Sequence, residues 1–249
     1  MNDRSQTSTS AASRPAECDS VSTELQRTPL GDRSSHHRVV LLEDSAAERT
    51  SSLLAAVDEA ARDSGLAVDA LYRRDCWWTE RDDDAWPAGD SAAAVVRSLQ
   101  PHALVGIGVG GQGVLSLAFS AAVEVAAVAA IAPACELGVW YANDLALQRL
   151  FNDAEEARQS EAPLLIPSSP PLRNVLVACD PRDQPCLPSA IRVVSKLSAS
   201  GIPVESDLLS EVGTSRNDYA ACRVGWWMGF LRERLERAAH SLPLLPPER

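Results

Sequence analysis

Residues 104 to 119 read Leu-Val-Gly-Ile-Gly-Val-Gly-Gly-Gln-Gly-Val-Leu-Ser-Leu-Ala-Phe. An apolar strand runs into a sharp glycine turn and leaves it as a helix, and this unit constrains the fold more than any other stretch. The segment that follows, residues 114 to 134, carries a single charge, Glu124, over a length close to the ~20 residues that cross a bilayer. Its small residues, the glycine turn before it and the change near Val125 to a Val/Ala/Ile run ending at Pro133 predict instead a buried helix and then a buried strand. A glutamate in mid-span would also cost a few kcal/mol in lipid.

The same alternation extends along the chain. Residues 38 to 42 predict a strand, and residues 46 to 64 a helix with Leu53, Leu54, Val57, Ala60 and Ala61 at helical spacing, closed by Ser64-Gly65. A strand over 67 to 72, a tryptophan-bearing acidic loop over 76 to 89, a helix over 91 to 99 and a strand over 103 to 107 lead into the glycine turn. Beyond Pro133 come an acidic helical segment over 145 to 159 and a proline-rich connection over 162 to 171. Then follow a strand over 174 to 179, a helix over 188 to 200, a strand over 203 to 209 and a closing helix over 218 to 239. Strands alternating with helices of ten or more residues imply an α/β domain: a doubly wound, mostly parallel sheet with helices on both faces. Its ligands would sit beyond the carboxyl ends of the strands. Residues 1 to 36, rich in Ser, Thr, Asp and Arg, are expected to form a disordered tail, since they bury too little apolar surface to offset their ordering entropy. Residues 37 to 240 form the single domain, and residues 241 to 249 a flexible Pro-rich end.

Charge and cysteine usage narrow the function. A net charge of −11 argues against nucleic acid, whose affinity comes largely from clustered Lys and Arg. The six cysteines, at 18, 76, 135, 179, 186 and 222, form no C-x-x-C metal or redox pattern, and residues 1 to 33 lack the apolar stretch of a signal peptide. Reduced thiols in a cytoplasmic protein are expected, with no membrane span, no metal and no cofactor. Three consecutive acids, Asp82 to Asp84, read as a solvated turn rather than a metal loop.

Several motifs occur together in order. They are Cys76-Trp77-Trp78, the turn Gly106-Ile107-Gly108-Val109-Gly110 with its trailing Gly111-Gln112-Gly113, Ala129 to Ala134, Cys179-Asp180-Pro181-Arg182-Asp183 and Gly201-Ile202-Pro203-Val204-Glu205. In this order the chain, over residues 38 to 237, resembles the esterases of the α/β-hydrolase fold, the group that includes esterase D and related carboxylesterases. The resemblance implies a Ser, Asp, His triad in that chain order. The nucleophile of a G-x-S-x-G elbow falls on Gly108, the acid on Asp183 and the histidine on Thr214. Where the family tends to place His-Gly beside the oxyanion hole, this chain has Leu42-Glu43-Asp44. With Val109 as the elbow's N–H donor, the expected oxyanion and binding residues are Val109, Leu42, Glu43, Trp77 and Trp78.

Each substitution has a chemical meaning. Glycine has no atom to attack a carbonyl, and threonine does not exchange a proton near pH 7 as imidazole does. Losing either member of a serine-protease triad costs roughly 10⁶ in turnover, and losing both costs little more because they act together. A carboxylate beside the oxyanion hole would repel the charge the hole stabilises. Glycine adopts the strained elbow backbone freely, and the N–H groups of the following helix remain suited to an anion. The resulting expectation is an esterase-like protein without catalysis, binding a small acyl or carboxylate ligand or a protein partner; the alternative is an ester hydrolase that activates water through Asp183 or Asp180. Asp183 is either the retained triad acid or a capping residue of its turn. Trp77 and Trp78 either line the pocket or cover a core edge. Ser116, about two turns into the helix, is expected to be buried and remote from the chemistry.

Overall fold

The computed structural model describes residues 24–44, 50–79, 91–167, 172 and 174–241. Seven strands form one sheet: β1 (Gln26–Gly31), β2 (Arg38–Leu42), β3 (Ala67–Tyr72), β4 (Ala103–Ile107), β5 (Ala127–Ile131), β6 (Val175–Ala178) and β7 (Val204–Asp207). Their order is β1-β3-β2-β4-β5-β6-β7, and every pair is parallel except β1 with β3. The doubly wound, mostly parallel sheet implied by the alternation is the observed architecture.

Side chains alternate along each strand and feed two cores. Val40, Leu42, Leu104, Val128 and Val177 pack on one face with α2 (Ala92–Ser98), α3 (Val109–Phe119) and α8 (Leu187–Ala199). Val39, Leu41, Val105, Ile107, Ala129 and Leu176 face the other way, against α1 (Ser51–Asp63), α9 (Arg216–Cys222) and α10 (Val224–Ser241). Short helices α4 (Leu137–Trp140), α5 (Leu145–Leu150), α6 (Ala154–Gln159) and α7 (Ala162–Leu165) connect β5 to β6 over the first face. The long apolar run of residues 114 to 134 resolves into α3 and β5. No helix of the described residues is long and apolar enough to cross a membrane.

Three expectations are corrected. The tail was expected to reach residue 36, yet Gln26–Gly31 pairs antiparallel with β3. Composition misses this strand because its anchorage is tertiary: the buried Asp69 of β3 accepts from Arg27 at 3.0 Å and from Arg33 at 3.3 Å, and Gly31 donates to Asp58 at 2.7 Å. Pro29 suits an edge strand, which needs no inward ladder donor at every position. The acidic segment over 145 to 159 is two helices, because Phe151 turns extended into the core and Asp153 caps a new start by accepting from Glu156 N–H at 2.8 Å. Likewise the closing helix divides at Arg223, and it begins earlier, with Ser215 capping α9. The proline-rich connection opens with α7. Residues 1–23, 45–49, 80–90, 168–171, 173 and 242–249 lie outside the described residues, and with them most of the expected tail, the start of the helix expected from residue 46, Asp82 to Asp84, the end of the proline-rich connection and the Pro-rich end.

The tightest contact in the frame joins β2 to the start of α3. A Cβ on Gly110 would lie 2.0 Å from the Leu42 carbonyl oxygen, whereas one on Gly229, exposed within α10, would meet nothing within 4 Å. Gly110→Ala should therefore cost about 3 kcal/mol through forced separation of helix and strand. Gly229→Ala should gain up to about 1 kcal/mol from helix propensity. Urea denaturation of the two variants beside the parent protein measures both.

Candidate active site

The turn between β4 and α3 is a sharp elbow. Gly108 has φ 58° and ψ −118°, a left-handed conformation that favours glycine. Its amide donates to Ile131 at 2.9 Å, and its carbonyl accepts from Gly111 and Ala134, so the neighbouring strand and the helix hold the turn from both sides. Leu42 pairs in register with Gly106, which brings residues 43 and 44 directly over the elbow.

The carboxylate of Asp44 fills the place into which a side chain at position 108 would project. A Cβ on Gly108 would sit 2.3 Å from Asp44 Oδ2 and 2.4 Å from its Cγ. Asp44 Oδ1 accepts from the Val109 amide at 3.4 Å, the donor that an elbow offers to an oxyanion. Asp44 is buried, and a buried carboxylate requires partners. Its second is Arg216 of α9, whose Nη1 donates to Oδ2 at 2.5 Å.

Arg216 then continues to Asp183. Its Nε donates to Asp183 Oδ2 at 2.9 Å and its Nη2 to Oδ1 at 3.3 Å, a two-pronged carboxylate contact. Burial acts to lower the pKa of this guanidinium. The hydrogen bond to Asp183 and the negative charges of Asp44 and Asp183 outweigh that, so it is held above its ordinary value and stays charged. Asp44, Arg216 and Asp183 thus form a carboxylate–guanidinium–carboxylate row running outward from the elbow.

A cavity of about 500 Å³ opens beside the outer end of this row, lined in part by Ala132, Asp183, Pro185, Thr214, Arg216 and Tyr219. It lies past the carboxyl ends of β5 and β6, where a parallel sheet is expected to place its ligands. Its far wall is held by Asp180, which accepts from Arg182 Nε at 2.9 Å and Nη2 at 2.6 Å and from the Val212 amide at 3.1 Å. Arg182 also donates to the Gly213 carbonyl at 3.0 Å, so this pair fixes the loop that precedes α9.

No family model matches the chain, and no curated protein does. Solved structures do. MPT51 of Mycobacterium tuberculosis superposes with TM-score 0.65 at 14% identity, covering 85% of this chain and 93% of that one. The S-formylglutathione hydrolase of Staphylococcus aureus gives 0.63 at 13% identity, covering 83% and 92%. That of Agrobacterium tumefaciens gives 0.62 at 12% identity, covering 82% and 86%. The fold is that of the α/β-hydrolases.

Set within the α/β-hydrolase frame, the residues singled out in the sequence are distributed unevenly. Gly108, Val109, Leu42, Glu43 and Asp183 come together at the elbow or next to it. Thr214 lines the cavity but its hydroxyl donates to Asp218 at 2.5 Å; the side chain that reaches Asp183 is Arg216, two residues later. Sequence reading missed Arg216. Its signal was a lone cation following Gly213-Thr214-Ser215, opposite an otherwise unexplained Glu43-Asp44. None of the four histidines lines the cavity; His102 sits at the amino end of β4, accepting from the Arg38 amide.

Trp77 and Trp78 do not line this cavity. Both are buried in the core: the Trp77 indole donates to Asp144 at 3.2 Å and stacks edge-on against Trp140, and Trp78 lies against Gly113 of α3. Trp78 borders a smaller cavity of about 170 Å³ with Ser116, which is half-buried rather than buried and accepts from Gln112 at 2.9 Å. The cysteines at 76, 135, 179, 186 and 222 are free thiols. Burial and the charge of Asp183 push Cys179 up to about 12, and burial raises Cys135 and Cys186, which disfavours the thiolate a nucleophile needs.

Two predictions follow from this geometry. Gly108→Ser alone should be strongly destabilising because of Asp44, and Asp44→Gly alone because Arg216 loses a buried partner. Combined, they should cost less than the sum by about 2 kcal/mol, measured as a double-mutant cycle in urea. The second concerns acid. Its hydrogen bonds to Arg182, the largest influence, lower Asp180 from its ordinary 3.8 to about 2. A carboxyl depressed in the folded state stabilises above its unfolded pKa and loses that contribution as pH falls through the folded value. Between pH 4 and 2 the parent should therefore lose more stability than Asp180→Asn, as followed by thermal melting at each pH.

Proposed function

We propose that this chain is an α/β-hydrolase-fold protein that does not hydrolyse esters and works by binding a small molecule in the cavity beside Asp183. One observation carries the reading. The carboxylate of Asp44 stands where a nucleophile's side chain would project and takes the Val109 amide that would receive an oxyanion. Gly108 supplies no attacking atom, and the oxygens of Asp44 are engaged by the Val109 amide and Arg216, which opposes both nucleophilic attack and oxyanion binding there. The volume of the cavity, about 500 Å³, lies within the usual range for small-molecule sites and supports a ligand rather than a protein as occupant. Five free thiols among the described residues suit a reducing cytoplasm.

Water activated by Asp183 or Asp180 is the competing mechanism. Asp183 spends both oxygens on Arg216, and Asp180, held at about 2, is a weak base near neutrality. The fold shared with S-formylglutathione hydrolases fits an ester hydrolase as well, and turnover separates the two readings. Purified protein should give no turnover of p-nitrophenyl acetate above the buffer rate and no labelling by a fluorophosphonate probe. Turnover abolished by Asp183→Ala would overturn the proposal.

A further inference from the structure

We infer that the cavity selects a neutral ligand that offers a carbonyl, amide or hydroxyl oxygen to Arg216, and discriminates against carboxylates. The inference rests on the binding reading above and narrows it to a chemical class.

The first ground is charge. Among the described residues, the row and the cavity wall hold three carboxylates, Asp44, Asp180 and Asp183, against two guanidiniums, Arg182 and Arg216, a net charge of −1. The positive end of α3 does not offset this for a ligand, because Asp44 already occupies the Val109 amide. An incoming anion would meet a site whose anion position is filled by the protein itself.

The second ground is hydrogen-bond capacity. Each oxygen of Asp183 accepts from Arg216, and each oxygen of Asp180 accepts from Arg182 together with a backbone amide. The acceptors facing the cavity are therefore well supplied. Donors are in surplus. A guanidinium carries five N–H groups; three of those on Arg216 have acceptors, which leaves one on each terminal nitrogen without a partner among the described residues. Surplus donors over a wall of net negative charge fit an uncharged oxygen acceptor better than either a carboxylate or an ammonium.

Three probes of one shape test this: benzamide, benzoate and benzylammonium, titrated into the full chain at millimolar concentration and followed by saturation-transfer NMR. Benzamide should bind about tenfold or more tightly than benzoate, the equivalent of about 1.4 kcal/mol for one uncompensated like charge. Thr214→Trp, which narrows the exposed rim of the cavity, should abolish the benzamide signal while leaving the melting temperature close to that of the parent. Benzoate or benzylammonium binding as tightly as benzamide, benzamide binding that survives Thr214→Trp, or no binding by any of the three would overturn the inference. Failure of the reading beneath it has a separate signature, ester turnover, which a preference for benzoate would not produce.

Discussion

The approach of α3 to the end of β2 governs what the site can be. Gly110 lets the first turn of the helix lie against the Leu42 carbonyl, where even one Cβ would overlap it. Because the parallel pairing of β2 with β4 sets Leu42 beside Gly106, the two residues after Leu42 have little choice but to cross the elbow. Whatever side chain stands at position 44 is thereby presented to Gly108 and to the free amide of Val109. In this chain it is an aspartate.

A carboxylate in that place brings requirements with it. It gains from the amide and the positive end of α3, but burial without a countercharge would be costly. Arg216 supplies the countercharge from the first turn of α9, and Asp183 completes the coordination of the guanidinium from beyond β6. Three segments far apart in sequence are tied into one row, and the elbow is closed from above. The absence of a side chain at Gly108 is part of the same arrangement, since the space it leaves is the space Asp44 uses. The consequence for chemistry is that Asp44 and the Val109 amide satisfy each other at the elbow, and unfilled donor capacity among the described residues lies further out, at the edge of Arg216.

How much of this was legible in the sequence varies with the range of the interaction involved. The six parallel strands were readable because each is a short, continuous apolar run set off by turn residues, and the glycine elbow because a strand entering a helix through Gly106 to Gly113 has few alternatives. The edge strand was not, since Gln26–Gly31 has one buried residue, Leu30, and is held by ion pairs to Asp69, about forty residues away. The break at Phe151 was hidden for a similar reason: the residue leaves the helix to reach the core. Likeness to a pattern singled out Gly108, Asp183 and Leu42-Glu43-Asp44, and the fold brings these segments near one another through Arg216. That likeness assigned the base to Thr214 by its place along a loop, whereas contact with Asp183 depends on reach, and Arg216 has it.

Sequence alone determined the alternation of strands and helices, the position of the elbow and the glycine at its centre, because these follow from local periodicity and from the chemistry of single residues. Only the tertiary structure decided what fills the elbow. The position of Asp44 depends on register between β2 and β4, and its partner lies 172 residues further along the chain. Sequence reading took Glu43-Asp44 as a charge that would repel an oxyanion; folded, Asp44 is itself the anion at the elbow, because a buried carboxylate is stable only where an amide and a guanidinium converge on it.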